Sequence, residues 1–140
     1  MDAAGQLDRL ARLGRAVDDS TKDVSAALGA VRQLCEDAGV VYRIAGGIAV
    51  IHHGYARFTV DVDVLIAAGG PSKLAGHLDA HGFQRRGEDT LVHEPTGVRV
   101  DLLESGRPMP RGAPTYPRLE EVGASERDPA FIGLAWLLVL

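Results

Sequence analysis

The sequence predicts a single α+β domain in which helices flank a mixed β-sheet. The chain of 140 residues has the length of one compact domain, and its 46% hydrophobic content is enough to fill one core. Segments with helical periodicity alternate with short strands rich in β-branched residues. A turn signal at residues 95–97 joins two of these strands into a hairpin, so antiparallel pairing is expected within the sheet.

Residues 1–39 are predicted to form a helical lead-in of two helices. The second helix has the clearer signals, because Ser20 followed by Asp23 resembles a capping box and Gly39 offers a stop. Its apolar residues recur at helical spacing, which predicts a stripe that packs on a partner surface. The stripe consists of Val24, Ala27, Leu28, Val31, Leu34, Cys35 and Ala38.

A strand, a glycine pair and a short helix are expected next. Residues 40–45 (VVYRIA) are β-branched and aromatic, which predicts a strand. Gly46 and Gly47 interrupt it, and residues 48–53 read as a short helix. Glycines between a strand and a helix leave room for close backbone approach and free N–H groups, which suits a polyphosphate. A plain turn explains the same two glycines equally well.

The second predicted strand, residues 60–66, carries the first acidic residues of interest. Its apolar residues alternate with Asp61 and Asp63, so the two carboxylates are expected to share one face. A helix is then predicted from Pro71 to His81, because proline suits the first helical turn and a glycine follows the histidine.

The remaining chain completes a sheet core over residues 40–104 within a single domain 1–140. A Pro-rich loop region is expected over residues 105–128, and a C-terminal helix over residues 129–140. Three further short strands are predicted at residues 83–86, 90–94 and 98–103.

Composition limits the classes of function. A formal net charge of −4 and a pI of about 5.7 argue against a protein that grips nucleic acid mainly through phosphates. Cys35 is the only cysteine, which fits a reducing compartment. No apolar run reaches the length of a membrane span, and residues 1–13 do not resemble a signal peptide. A cytoplasmic protein without a membrane partner is therefore expected.

Asp61, Asp63 and Asp101 form the candidate site. Two carboxylates at i and i+2 of a strand have Cα atoms roughly 6.5–7 Å apart, and Asp101 joins them if strand 98–103 lies beside strand 60–66. Each like-charge pair at about 4 Å costs on the order of 4 kcal/mol at an effective dielectric near 20. Raised pKa values, salt bridges or a divalent cation would offset that repulsion.

Oxygen ligands without His or Cys favour Mg²⁺ or Mn²⁺. A site of this kind accommodates two ions about 3.5–4 Å apart that flank an in-line displacement at phosphorus. The alternative is that the aspartates are the solvated face of an edge strand and bind no metal, as in a structural or interaction protein.

The order of these motifs resembles the nucleotidyltransferase superfamily that includes DNA polymerase β. The sequence reads Ala45-Gly46-Gly47, then thirteen residues, then Asp61-Val62-Asp63-Val64, and later Val100-Asp101-Leu102. The phrase from Gly46 to Val50, with Gly54, Arg57 and Thr59, is most similar to the small bacterial branch with the AbiEii-type toxins of type IV toxin–antitoxin systems.

The resemblance implies a nucleotidyltransferase-like fold and transfer of a nucleoside monophosphate from an NTP to an acceptor hydroxyl on RNA, protein or a small molecule. It implies that Gly46 and Gly47 cradle the β- and γ-phosphates. It also implies that Asp61 and Asp63 bind two Mg²⁺ ions, with Mn²⁺ as a substitute. Asp101 would bind the ion that activates the acceptor and could take the proton. The partners that the resemblance implies are the NTP, the acceptor and an antitoxin. The apolar run at residues 131–140 predicts a second copy of the chain as a further partner.

Three nearby residues are weaker candidates for nucleotide binding. Arg57 could reach a phosphate or pair with the acidic residues, and Thr59 could orient a carboxylate. Lys73 begins a helix near the far end of the strand and could contact the triphosphate. Relatives usually continue past the last helix with a basic helical segment. The runner-up reading is therefore a non-catalytic module that keeps this fold and binds a nucleotide or a partner protein.

Overall fold

The computed structural model describes residues 3–55, 59–110 and 112–137. The helices are α1 (Ala3–Ala38), α2 (Gly46–His52), α3 (Gly70–Leu74) and α4 (Leu119–Val122). The strands are β1 (Tyr42–Ala45), β2 (Val62–Ile66), β3 (Phe83–Arg85), β4 (Thr90–His93), β5 (Val98–Glu104), β6 (Pro108–Met109) and β7 (Gly112–Thr115). Single 3₁₀ turns cover Ala75–His77, Asp79–His81 and Leu134–Trp136.

The predicted mixed sheet is confirmed. Within the described residues, five strands lie in the order β1-β2-β5-β4-β3. The pair β2–β5 is parallel, and the pairs β1–β2, β5–β4 and β4–β3 are antiparallel. The parallel pair is the centre of the sheet, and it brings residues 63 and 101 side by side although 38 positions separate them in sequence.

Residues 3–38 form one helix, so the prediction of two helices is wrong. Ser20 and Asp23 lie inside α1 rather than at a helix start. No proline interrupts this region, and the cost of a Ser or Asp in a helix interior is small beside the cost of nucleating a second helix. The predicted apolar stripe is confirmed from Val24 onwards, where α1 packs on β2, β5 and α3.

The predicted helix from Pro71 to His81 is wrong in its length. Only Gly70–Leu74 is α-helical, and the chain continues in the two 3₁₀ turns Ala75–His77 and Asp79–His81. Gly76 lies in the middle of the predicted helix, where glycine is about 1 kcal/mol less favourable than alanine.

The predicted C-terminal helix is also wrong over its described part, residues 129–137. Phe131 pairs with Ile44 in a parallel bridge. The Ile44 N–H donates to the Ala130 carbonyl (2.6 Å), and the Ile132 N–H donates to the Ile44 carbonyl (3.0 Å). The chain is extended here because it covers the outer edge of β1, whose backbone groups would otherwise lack partners. Residues 138–140 lie outside the described residues.

The end of α2 holds this C-terminal segment in place. The His52 ring stacks on Phe131 with centroids 3.9 Å apart, and its Nε2 lies 2.7 Å from the Ser125 hydroxyl. His53 Nε2 lies 2.8 Å from the Ile132 carbonyl, which the ring N–H can reach as a donor. The two adjacent histidines therefore secure the edge of the sheet.

The predicted Pro-rich loop contains a two-stranded ribbon. Strands β6 and β7 pair through Pro108–Thr115 and Met109–Gly112. Prolines favour extended backbone, which allows this short pairing even though they donate no hydrogen bond.

Within the three described ranges, no helix combines the length and the apolar character needed to cross a bilayer.

Candidate active site

The parallel pair β2–β5 brings Asp63 and Asp101 together. They are direct register partners, so both carboxylates project from the same face of the sheet. Both line an open cleft of about 620 Å³ that we call the acidic cleft. The expectation that the strand of Asp101 lies beside the strand of Asp63 is thus confirmed.

Gly46 lies directly against the Asp63 carboxylate. The antiparallel register pairs Ala45 with Asp63, so the next residue, Gly46, passes beside that side chain. A Cβ atom on Gly46 would lie 2.0 Å from Asp63 Oδ2, closer than any real contact, and the φ of Gly46 is +61°. Only glycine meets both conditions without strain. The start of α2, including buried Gly47, therefore adjoins the acidic pair.

Asp101 is paired with an arginine. Its Oδ1 accepts a hydrogen bond from Arg99 Nε at 2.9 Å and a longer one from the Thr90 hydroxyl at 3.4 Å. The pKa of Arg99 is raised, first by the hydrogen bond and charge of Asp101 and further by the charges of Asp61 and Asp63. The guanidinium of Arg99 thus lies in the field of all three predicted aspartates and offsets part of their repulsion.

Asp61 and Thr59 precede β2 rather than belong to it. The Thr59 hydroxyl donates to the backbone carbonyl of Asp61 at 3.2 Å, so it fixes the backbone and not, as expected, a carboxylate. Asp61 is half-buried and does not line the acidic cleft. Arg57 lies outside the described residues. Lys73 was expected to begin a helix, but it is exposed in the last turn of α3 and does not line the acidic cleft.

The carboxylates of Asp63 and Asp101 suit a metal ion that takes its other ligands from a bound phosphate and from water. Among residues 3–55, 59–110 and 112–137, no three His, Cys, Asp or Glu side chains are grouped so that they could hold a metal ion by themselves. Mg²⁺ is usually bound through one or two carboxylates, with phosphates and water completing its shell. Asp63 and Asp101 meet that smaller requirement.

Several residues of the cleft escaped the sequence analysis. Four carboxylates and two arginines line it, an excess of two negative charges, which favours a cation over a free phosphate. Besides Asp63, Asp101 and Arg99, the charged lining residues are Asp89, Glu104 and Arg107. Arg107 pairs with Glu104 (3.2 Å) and with Glu88 (3.1 Å). No local sequence pattern marks Asp89, Glu104 and Arg107. They reach the cleft through the pairing of β4 with β5 and through the chain that leads into the β6–β7 ribbon.

Tyr116 is the aromatic residue that sequence analysis missed. Burial raises the pKa of its hydroxyl, and the charges of Asp63, Asp89 and Asp101 raise it further. The hydroxyl is therefore protonated at neutral pH and available as a donor at the cleft. Its flanking prolines, in the phrase Pro-Thr-Tyr-Pro, were the only signal that this tyrosine has a fixed position.

Comparison of the chain with protein-family models, curated proteins and solved structures gave no match. A nucleotidyltransferase function therefore stays a prediction from the motif resemblance.

Proposed function

We propose that this protein is a Mg²⁺-dependent nucleotidyltransferase that moves a nucleoside monophosphate from an NTP to an acceptor hydroxyl on RNA, protein or a small molecule. The observation that carries the proposal is the contact of the Asp63 carboxylate with Gly46 on one side and its register pairing with Asp101 on the other. The glycine start of α2 and a pair of carboxylate oxygen ligands therefore lie next to each other.

The chain's own residues have distinct roles in this reaction. Gly46 lets the Asp63 carboxylate lie against the start of α2, whose backbone would approach the β- and γ-phosphates there. Asp63 would hold the ion that these phosphates share, whereas Asp61 does not line the cleft. Arg99, whose side chain is 58% exposed, exchanges its contact with Asp101 for a phosphate oxygen when the nucleotide enters. The released Asp101 carboxylate then faces the acceptor hydroxyl.

The transfer forms one bond and breaks one bond. The acceptor oxygen bonds to the α-phosphorus, the bond from that phosphorus to its bridging oxygen breaks, and pyrophosphate leaves. Asp101 takes the proton of the acceptor hydroxyl. Bound Mg²⁺ supplies positive charge that neutralises the attacking and leaving oxygens.

Incubation of the protein with α-labelled NTPs and cell extract tests the proposal. We expect Mg²⁺-dependent label on one acceptor class, and we expect Asp63→Asn to lower the rate by on the order of 10²-fold or more. Asp79→Asn is the matched control, because Asp79 is an exposed aspartate outside the cleft. Equal labelling by both variants would contradict the proposal.

The Arg99–Asp101 ion pair favours a second candidate, a non-catalytic module that binds a nucleotide. In that case Asp101 stays paired at 2.9 Å and serves to position Arg99 for the phosphates. This module would bind Mg²⁺-NTP without releasing pyrophosphate in the presence of any acceptor. Release of pyrophosphate by the native chain and not by Asp101→Asn excludes it.

A further inference from the structure

A groove of about 540 Å³ adjoins the acidic cleft, and Tyr116 lines both. We call it the aromatic groove. The ribbon supplies Met109 and Pro114 to its wall, Pro117 follows Tyr116, and Trp136 contributes from the 3₁₀ turn Leu134–Trp136. Its volume lies within the range of small-ligand sites, and its lining is mostly apolar with a few polar groups.

The backbone holds Tyr116 between the two cavities. Its N–H donates to the Arg107 carbonyl (2.8 Å), and its carbonyl accepts from the Gly106 N–H (2.9 Å). These two bonds extend the pairing of β6 and β7 beyond the ribbon, so the tyrosine is fixed to a hydrogen-bonded element. Tyr116 therefore forms part of the wall of both the cleft and the groove.

The chemistry of the aromatic groove suits a planar ring. The chain has one tryptophan and three tyrosines, and the tryptophan and one tyrosine both lie here. Aromatic side chains stack on nucleobases of any sequence because every base has a π-face. At the rim, Arg118 and Glu121 form an exposed ion pair (3.1 Å) that offers both donors and acceptors to the edge of a base.

We propose that the aromatic groove binds the nucleobase of the NTP whose phosphates occupy the acidic cleft. The inference deepens the proposed function and rests on it for the position of the phosphates. The position of Tyr116 in the lining of both cavities carries it, together with the two aromatic side chains of the groove. The phosphates would lie beside Asp63, the ribose beside Tyr116 and the base against Trp136.

Trp136 provides a direct readout because it is the only tryptophan. We expect at least one of adenosine, guanosine, cytidine and uridine to quench its fluorescence saturably in the absence of metal. Tyr116→Leu should weaken that binding by about 5- to 100-fold. Asp79→Asn should leave it unchanged, because Asp79 is exposed and lines neither cavity.

Equilibrium dialysis of the full chain with labelled Mg²⁺-NTP gives the second readout. Trp136→Leu should raise the Kd by about 5- to 100-fold and leave binding of Mg²⁺-tripolyphosphate unchanged. Trp136→Phe keeps a ring and should restore most of the affinity, and Tyr55→Leu, an exposed tyrosine outside the groove, is the control.

The outcomes separate this inference from the proposed function. If none of the four nucleosides quenches the fluorescence and the Kd for Mg²⁺-NTP is unchanged in Trp136→Leu, the aromatic groove does not bind the base. That result overturns the inference even if the chain transfers nucleotides. Saturable quenching that is weaker in Tyr116→Leu supports base binding in the aromatic groove, even if no nucleotide transfer is found. A tripolyphosphate Kd that rises as much as the NTP Kd overturns it as well, because Trp136 would then act on the phosphates.

Discussion

The contact between Gly46 and Asp63 is the residue-scale feature on which the candidate site depends most. Gly46→Ala would place a methyl group 2.0 Å from Asp63 Oδ2 at a φ of +61°. We expect the variant to lose about 1–3 kcal/mol of unfolding free energy and to displace the Asp63 carboxylate. Urea unfolding and Mg²⁺-NTP binding, measured on the same sample, check the two effects.

Gly39→Ala is the matched control for this substitution. Gly39 has a φ of +66°, and nothing lies within 4 Å of its missing Cβ. Gly39→Ala should therefore lose unfolding free energy through backbone strain and keep the affinity of the native chain for Mg²⁺-NTP. Equal loss of affinity in both variants would contradict the role of the Asp63 contact.

His93 is a buried histidine that makes stability depend on pH. Burial lowers its pKa below the ordinary value of 6.5, so the folded chain binds this proton less tightly than the unfolded chain. The unfolding free energy should therefore fall as the pH drops through about 6.5. His93→Phe, which keeps a ring against Phe83, should reduce the difference in unfolding free energy between pH 7.5 and 5.5. Identical differences in the two proteins would contradict this account.

At the scale of elements, the Arg32–Asp128 pair ties α1 to the segment that covers β1. Arg32 donates to Asp128 at 2.8 Å, and the same carboxylate accepts from the Ala130 N–H at 3.0 Å. The pKa of Asp128 is lowered, first by the Arg32 hydrogen bond and then by the backbone N–H. Its charged form is therefore part of the folded structure.

Asp128→Asn should lower the unfolding free energy by about 1–2 kcal/mol and speed amide exchange at Ile44 and Ile132. Arg12→Gln removes the exposed pair Arg12–Asp8 and should change stability by less than about 0.5 kcal/mol. Hydrogen exchange and urea unfolding of both variants check the prediction. An unchanged exchange rate at Ile44 in Asp128→Asn would contradict it.

The elements that the sequence could predict are those with a strong local pattern. The alternation around Asp63 predicted β2, and the turn at residues 95–97 predicted the β4–β5 hairpin. The extended path at Phe131 could not be predicted, because it depends on the free edge of β1, which exists only in the folded sheet. Local apolar periodicity favoured a helix there, and tertiary pairing overrode it.

At the scale of the whole molecule, the candidate site combines segments that are distant in sequence. Gly46, Asp63 and Asp101 were predicted together because their order resembles a known family, and the sheet register brings them side by side. Tyr116 was missed because the ribbon, which exists only in the folded chain, places residue 116 beside the cleft. Arg99 lies two residues before Asp101 on β5, so strand alternation marks their common face, but the ion pair itself appears only in the structure. A pattern of residue types contains no information on a contact such as that of Tyr116 with the cleft.

The acidic cleft is proposed to bind a metal–nucleotide complex through Asp63. The most direct test of this binding is the melting temperature with and without millimolar Mg²⁺-NTP. At a ligand concentration 100 times the Kd, binding adds about 2.7 kcal/mol, a rise of roughly 5–15 °C for a domain of this size. We predict this rise in the native chain and in Asp79→Asn, and its loss in Asp63→Asn. An equal rise in all three proteins, or none in the native chain, would contradict the claim.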